Sequence, residues 1–274
     1  MSIDRLEAWL RRKRWTVALF VPLVGVAGFA LRRWLGEGPW SSALGWPPLL
    51  ILVNGVMALP LAFGLRGLWG RRGLAALAAL ALFSWLIESL GVATGWPYGR
   101  FAYAIGLEPL LFGLVPLALP LFWVPMVLDA WLLAVAGTAG LSGRGRVGAW
   151  APWLAAPILL VLLDGIMDPG AVALGFWAWE RPGPWYGVPW INFGGWLISG
   201  TVGISLAAWA LPAWRVRSRL AADGLAWGTL LAFLAFWGPI NGLHGQLWPA
   251  LAAGLLGLRV LGLYARGIGS GSQV

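Results

Sequence analysis

Apolar residues run along this chain in blocks of roughly 17–23, the length of helix that crosses about 30 Å of hydrocarbon, with short polar stretches between them. Inside lipid each backbone N–H and C=O must be bonded within its own segment, so the blocks are expected to be helical. The pattern predicts an all-α, polytopic integral membrane bundle, a single transmembrane domain over residues 1–274 with about eight transmembrane helices. The expected spans are Trp15–Leu31, Pro47–Leu65, Leu74–Ala93, Pro109–Gly137, Ala149–Pro169, Pro189–Leu211, Leu225–Pro239 and Gln246–Tyr264. The fourth is too long for one straight crossing. Its Pro116, Pro120 and Pro125 predict a kinked helix or a re-entrant piece ahead of the crossing.

Basic residues sharpen this picture. The N-terminal segment, the second, fourth and sixth loops and the C-terminal end carry 15 of the 19 Lys and Arg. The intervening loops hold only Arg32, Arg33, Arg100 and Arg181. Such alternation is what the positive-inside rule produces, and it predicts that both termini are cytoplasmic. The net charge of +9 is thereby explained by topology, with no call for a nucleic-acid partner. The basic start and first apolar run resemble a signal peptide, but no small-x-small site precedes Arg32, so an uncleaved first helix is expected.

Composition agrees and narrows the chemistry. The chain is 60% hydrophobic and 11% charged, against about 25% charged in soluble domains. No cysteine excludes disulfides, thiolate nucleophiles and iron–sulfur clusters, and a lone His244 excludes a multi-histidine metal centre within one chain.

Four acids, Glu88, Asp129, Asp164 and Asp168, fall inside expected spans. At about 2.5–3.5 kcal/mol each near a helix centre, four cost on the order of 10 kcal/mol, so they must face the bundle interior and find partners or a task. Asp164 and Asp168 are four apart and share one helical face. Two carboxylates side by side in a low dielectric do not both ionise easily, so one is expected to hold a proton and serve as a donor. The blander readings are a helix-end cap for Asp168, since Pro169-Gly170 follows, and an inter-helix hydrogen bond for Asp164. Asp129 lies deeper and reads equally as a brace for the fourth span. By orientation Glu88, Asp168, Asn192 and Asn241 fall in the outer half of the bilayer, while His244 reads as a solvated loop residue. The loops beside the acids are rich in aromatics: Trp96, Tyr98, Phe101 and Tyr103, then Phe176, Trp177, Trp179, Trp185, Tyr186 and Trp190. An interfacial belt accounts for about half of them. A pocket wall for a cationic intermediate is the sharper reading.

Several stretches, in order, resemble one family. Glu88 with Thr94-Gly95-Trp96-Pro97-Tyr98-Gly99-Arg100-Phe101-Ala102-Tyr103, then Asp164-Gly165-Ile166-Met167-Asp168-Pro169, Trp177-Ala178-Trp179, and Tyr186-Gly187-Val188-Pro189 through Asn192-Phe193-Gly194-Gly195-Trp196 are similar to the CruF-type carotenoid hydratases. The resemblance covers about residues 84–200. It implies addition of water across the C1=C2 bond of an acyclic carotenoid ψ-end, giving a tertiary 1-hydroxyl, with no cofactor and no metal. It implies an apolar acyclic carotenoid, water and membrane lipid as partners, other carotenoid-pathway enzymes as neighbours, no nucleic acid, and a bacterial or archaeal cell membrane as the location. Within that chemistry the expected catalytic residues are Asp164 and Asp168 as proton source and Glu88, or else Asn192, to orient or deprotonate the water. Trp96, Tyr98, Tyr103, Trp177, Tyr186, Asn192 and Trp196 are the expected substrate-binding residues. Two alternatives stay open on the residues alone: a proton- or ion-coupled transporter, and an intramembrane prenyl-transferring enzyme.

Overall fold

The computed structural model describes residues 2–35, 46–103 and 107–266. Among the described residues the helices are α1 (Ile3–Arg12), α2 (Val21–Leu35), α3 (Trp46–Gly64), α4 (Arg71–Thr94), α5 (Pro120–Gly137), α6 (Gly145–Ala173), α7 (Trp190–Ala210), α8 (Ala213–Ala222), α9 (Trp227–Leu243) and α10 (Leu247–Arg266). Four short strands, β1 (Phe101–Tyr103), β2 (Leu110–Leu111), β3 (Val115–Pro116) and β4 (Trp177–Trp179), form two antiparallel pairs, β1–β4 and β2–β3. The fold is an all-α bundle with these small strand pairs in its loops. Six helical stretches are long and apolar enough to cross a bilayer, with α1 and Thr16–Leu31 forming a pair bent by 73° as a further candidate.

The helices are built inside out relative to a soluble protein. On α6, Val147, Trp150, Leu154, Ile158 and Leu162 are exposed at three- and four-residue spacing, while Asp164 and Asp168 are buried with Leu160, Leu163 and Met167. An outward apolar stripe and inward acids suit a hydrocarbon surround.

The chain divides into two compact units. One holds the residues up to Arg66 and from Leu220 onward. Here α9 packs against α2, α3 and α10. Pro60 interrupts α3, and the Thr229 hydroxyl enters the gap, accepting from the Leu61 N–H at 3.0 Å and donating to the Met57 carbonyl at 2.8 Å. It thus bridges a helical bond that the proline bend has opened. Helix α1 starts on a Ser2 cap, with Asp4 in its first turn and Arg11 and Arg12 in its last, complementing the helix dipole. Arg11 binds Glu7 at 2.8 Å and Asp223 at 2.7 Å, and Arg66 binds Asp4 at 2.9 Å and also Glu7.

The second unit, Gly67–Arg219, contains α4 to α7 and all four strands. Helix α6 packs against both α5 and α7, and α4 against α5 and α7.

Several expectations change. The fourth span is helical only from Pro120; ahead of it Leu110–Pro116 forms the β2–β3 hairpin, not a kinked helix. Pro120 starts the helix because a proline at the first position loses no bond that the helix needs. Helix α6 does not stop at Pro169 but continues to Ala173, so Asp168 lies within it and does not cap its end. Helices α1 and α8, expected as N-terminal and loop segments, are helical, α1 carrying Arg11 and Arg12 in its last turn and α8 carrying Arg215, Arg217 and Arg219.

Candidate active site

The acids of the second unit are held by neighbours far away in sequence. Asn192 lies in the first turn of α7 and is buried, as are Asp164 and Asp168 on α6. Its Nδ2 donates to Asp164 Oδ2 at 3.0 Å and to Asp168 Oδ2 at 2.7 Å. One amide therefore spends both hydrogens on two carboxyls, which sit against each other. Asp164 Oδ1 is buried and takes no hydrogen bond among the described residues. Trp177 lies beside Asp168.

Glu88, buried on α4, accepts a hydrogen bond from the Tyr103 hydroxyl at 3.1 Å. Burial, and next the Glu88 carboxylate, push the Tyr103 phenol well above its ordinary value, so it stays a donor. Tyr103 and Trp177 are register partners in the β1–β4 pair, with rings 5.9 Å apart. That pair joins the Glu88 side of the site to the Asp168 side. Among the described residues no arginine or lysine forms a salt bridge with Glu88, Asp164 or Asp168. Nor do three or more His, Asp or Glu side chains there converge as metal ligands would.

Tyr98 is buried in a slot between two glycines. A Cβ on Gly91 of α4 would lie 2.8 Å from its Cδ2, and one on Gly195 of α7 would lie 2.6 Å from its Cδ1. Its hydroxyl donates to Ser199 Oγ at 2.9 Å, and its carbonyl accepts from Trp179 Nε1 at 3.0 Å. Trp196 is buried beside it and stacks on Trp123 at 5.7 Å. From Trp177 the rings run on through Tyr103, Phe101 and Tyr98 to Trp196 and Trp123, neighbouring centroids lying 5.5–6.2 Å apart.

Not every expected residue joins this cluster. Trp96 is 54% exposed. Tyr186 is half-buried at a positive φ of 51° and packs edge-on against Trp185. Asp129 is buried on α5 but takes no part in these hydrogen bonds. Asn241 and His244 belong to the other unit: Asn241 Nδ2 donates to the Trp237 carbonyl at 2.8 Å, and His244 Nδ1 lies 3.1 Å from Arg33 Nη1. Burial and Arg33 hold the His244 imidazole below its ordinary value. His244 closes α9 at its C-terminal end rather than standing free in a loop.

Residues 45–260 match the family described as "Carotenoid biosynthesis protein". That stretch is well over half of the chain. The chain belongs to this family. The bisanhydrobacterioruberin hydratase of Haloarcula japonica is 38% identical to the chain over 258 residues, covering 94% of this chain and 85% of that protein. No solved structure matches the chain. Glu88, Tyr98, Tyr103, Asp164, Asp168, Trp177, Asn192 and Trp196 all lie inside the stretch that matches the carotenoid biosynthesis proteins.

Two hydrogen bonds were not foreseen from the sequence. Tyr103 was expected to line the substrate, yet its hydroxyl is committed to Glu88. Trp185 counted only as one more loop aromatic, yet its Nε1 donates to the Gly165 carbonyl at 3.0 Å. A signal for the second did exist: Pro169 has no N–H, so the carbonyl four residues back had to find another donor.

Proposed function

We propose that this protein is a membrane enzyme that adds water to a terminal double bond of an acyclic carotenoid. The observation that carries the proposal is the Asn192 amide bridging Asp164 and Asp168 in a buried site without a basic partner. The relative's name, a hydratase of bisanhydrobacterioruberin, and the family description support it.

The finer reading is the C1=C2 bond of a ψ-end. A carboxyl pair this close in a low dielectric holds a proton between its members. That proton goes to C2, leaving positive charge on the tertiary carbon C1, where the electron-rich faces of Tyr103 and Trp177 stabilise it. Water attacks C1 and gives up a proton, so the net change is one H2O added and no electron transferred. With both N–H groups of Asn192 taken by the aspartates, the orienting and deprotonation of water falls to Glu88, which Tyr103 fixes in place. Once Glu88 has taken that proton, returning it to the aspartate pair resets the enzyme. The substrate enters from the lipid and presents one end to the site. We place the protein in a bacterial or archaeal cell membrane, with cytoplasmic termini and the acids towards the outer half.

Expression in a lycopene-accumulating bacterial host, with the pigments separated by chromatography and weighed, tests this. A product heavier by one water is expected. Unchanged pigment in a strain that makes the protein well would sink the proposal, and Asp168→Asn with full hydration would remove the acid from its role.

A further inference from the structure

Pro169 sits inside α6, between Asp168 and the last turn of the helix. It lacks the N–H that would bond the Gly165 carbonyl, and a helix interrupted in this way ordinarily bends or ends. Here the missing donor comes from outside the helix, as Trp185 Nε1 bonds Gly165 O at 3.0 Å. Trp185 belongs to a tight turn closed by bridges between Gly183 and Gly187 and between Trp185 and Val188. Val188 and Pro189 lead straight from that turn into α7, where the Asn192 N–H bonds the Pro189 carbonyl at 3.0 Å. Two ties therefore run from the start of α7 back to one stretch of α6. One is the indole on Gly165. The other is the Asn192 amide on Asp164 and Asp168, the residues one before and three after it.

We infer that Trp185 is a positioning residue for the carboxyl pair: its indole N–H, by taking the carbonyl that Pro169 leaves open, seats the turn from which Asn192 reaches both aspartates. The inference rests on the hydration reading. It assigns Trp185 no contact with substrate, and it gives Pro169 a purpose, since a proline there reserves the Gly165 carbonyl for the indole.

The proline makes the test selective. Alanine at position 169 restores a backbone N–H directed at Gly165 O, so it can replace what Trp185→Phe removes. The purified full-length protein in detergent is assayed with an acyclic carotenoid as wild type, Trp185→Phe, Pro169→Ala and the double variant, alongside melting curves. Trp185→Phe is expected to lower kcat by about 10- to 100-fold through misplacement of the pair, with KM within about twofold of wild type. Pro169→Ala is expected to change wild type little and to recover most of the lost kcat in the Trp185→Phe background, a departure from additivity that only shared action on one carbonyl produces. A raised KM with no rescue makes Trp185 a substrate contact and overturns the inference. So does a melting temperature that falls and is rescued while kcat per folded molecule stays constant, because the hydrogen bond is then structural only. Should Trp185→Phe not fold, Trp185→His, with a smaller ring that still bears an N–H, takes its place: a folded variant whose lowered kcat Pro169→Ala restores supports the role, and one whose kcat per folded molecule is unchanged, or is lowered and not restored, removes it. A wild-type protein that converts no acyclic carotenoid removes the hydration reading and this role with it, whereas an active wild type without rescue removes this role alone.

Discussion

The two units differ in what their buried polar groups bond. In the unit that joins the residues up to Arg66 to those from Leu220, such groups repair backbone. Thr229 bridges the break at Pro60 in α3, and Asn241 donates to a carbonyl of its own helix. In the unit from Gly67 to Arg219 backbone is repaired too, as by Trp185 at Gly165, but there polar side chains also bond each other: Asn192 with Asp164 and Asp168, Tyr103 with Glu88, Tyr98 with Ser199. A hydroxyl or amide that satisfies backbone costs little and is needed wherever a helix bends. A carboxyl in a low dielectric with only neutral donors around it is expensive to keep. On the hydration proposal, that difference separates maintenance from chemistry without appeal to position in the sequence.

The sharpest way to break that contrast is to neutralise the acids. Asp168→Asn, close in shape, is expected to lower hydration by about 10²- to 10⁴-fold, the usual weight of a general acid, while the melting temperature holds or rises because a costly buried acid is gone. Comparable turnover in Asp168→Asn and wild type would place this unit's acids with the other unit's repairs. Asn192→Leu ranks next. It leaves two carboxyls without their shared donor, at about 1–3 kcal/mol for the unmade hydrogen bonds, and is expected to reduce kcat together with stability. If it lowers stability alone, Asn192 is packing and not part of the site.

How far the sequence reached follows from the same contrast. The long apolar helices were legible because lipid imposes length and hydropathy on a crossing, though among the described residues six such stretches and one bent pair stand where about eight spans were expected; the i, i+4 spacing put Asp164 and Asp168 on one face before any coordinates. Their partner was visible as a residue but not as a bridge, since Asn192 meets them only through the packing of α7 on α6. The Tyr103–Glu88 bond depends on a three-residue strand pair joining Phe101–Tyr103 to Trp177–Trp179. No periodicity announces strands so short. The continuation of α6 past Pro169 was misread because local rules end a helix there, and the donor that rescues it stands 20 residues away in the chain.

Glycine spacing offers a finer cut inside the unit that holds the buried acids. Gly195→Ala would place a Cβ 2.6 Å from the Tyr98 ring and 2.8 Å from the Pro97 carbonyl, whereas Gly194→Ala meets nothing within 4 Å. Overpacking of this kind costs about 1–3 kcal/mol. Gly195→Ala is therefore expected to lower the melting temperature and reduce hydration by displacing Tyr98, with Gly194→Ala near wild type in both. Equal behaviour of the two would mean that the Tyr98 slot is softer than its contacts suggest.

The smallest expected effects lie in the other unit, and there the prediction is that activity per folded molecule does not change. Thr229→Val keeps shape but removes the hydroxyl between Leu61 N and Met57 O, at about 1–2 kcal/mol of stability. Glu7→Gln is smaller still. Burial raises the Glu7 carboxyl, but hydrogen bonds from Arg66 and Arg11 outweigh it and hold the group below the usual carboxylate range. A carboxyl lowered on folding contributes stability above its unfolded value and loses it as pH falls through the folded value. The Glu7→Gln melting temperature should therefore lie slightly under wild type near neutrality and converge with it in acid, the gap closing with added salt because the network is largely exposed. Hydration measured per folded molecule should be the same in both variants as in wild type. A drop in turnover from either substitution, with the fold intact, would show that the unit with no buried acid among its described residues also shapes the reaction, and the division between maintenance and chemistry would fail at the place where it predicts the least.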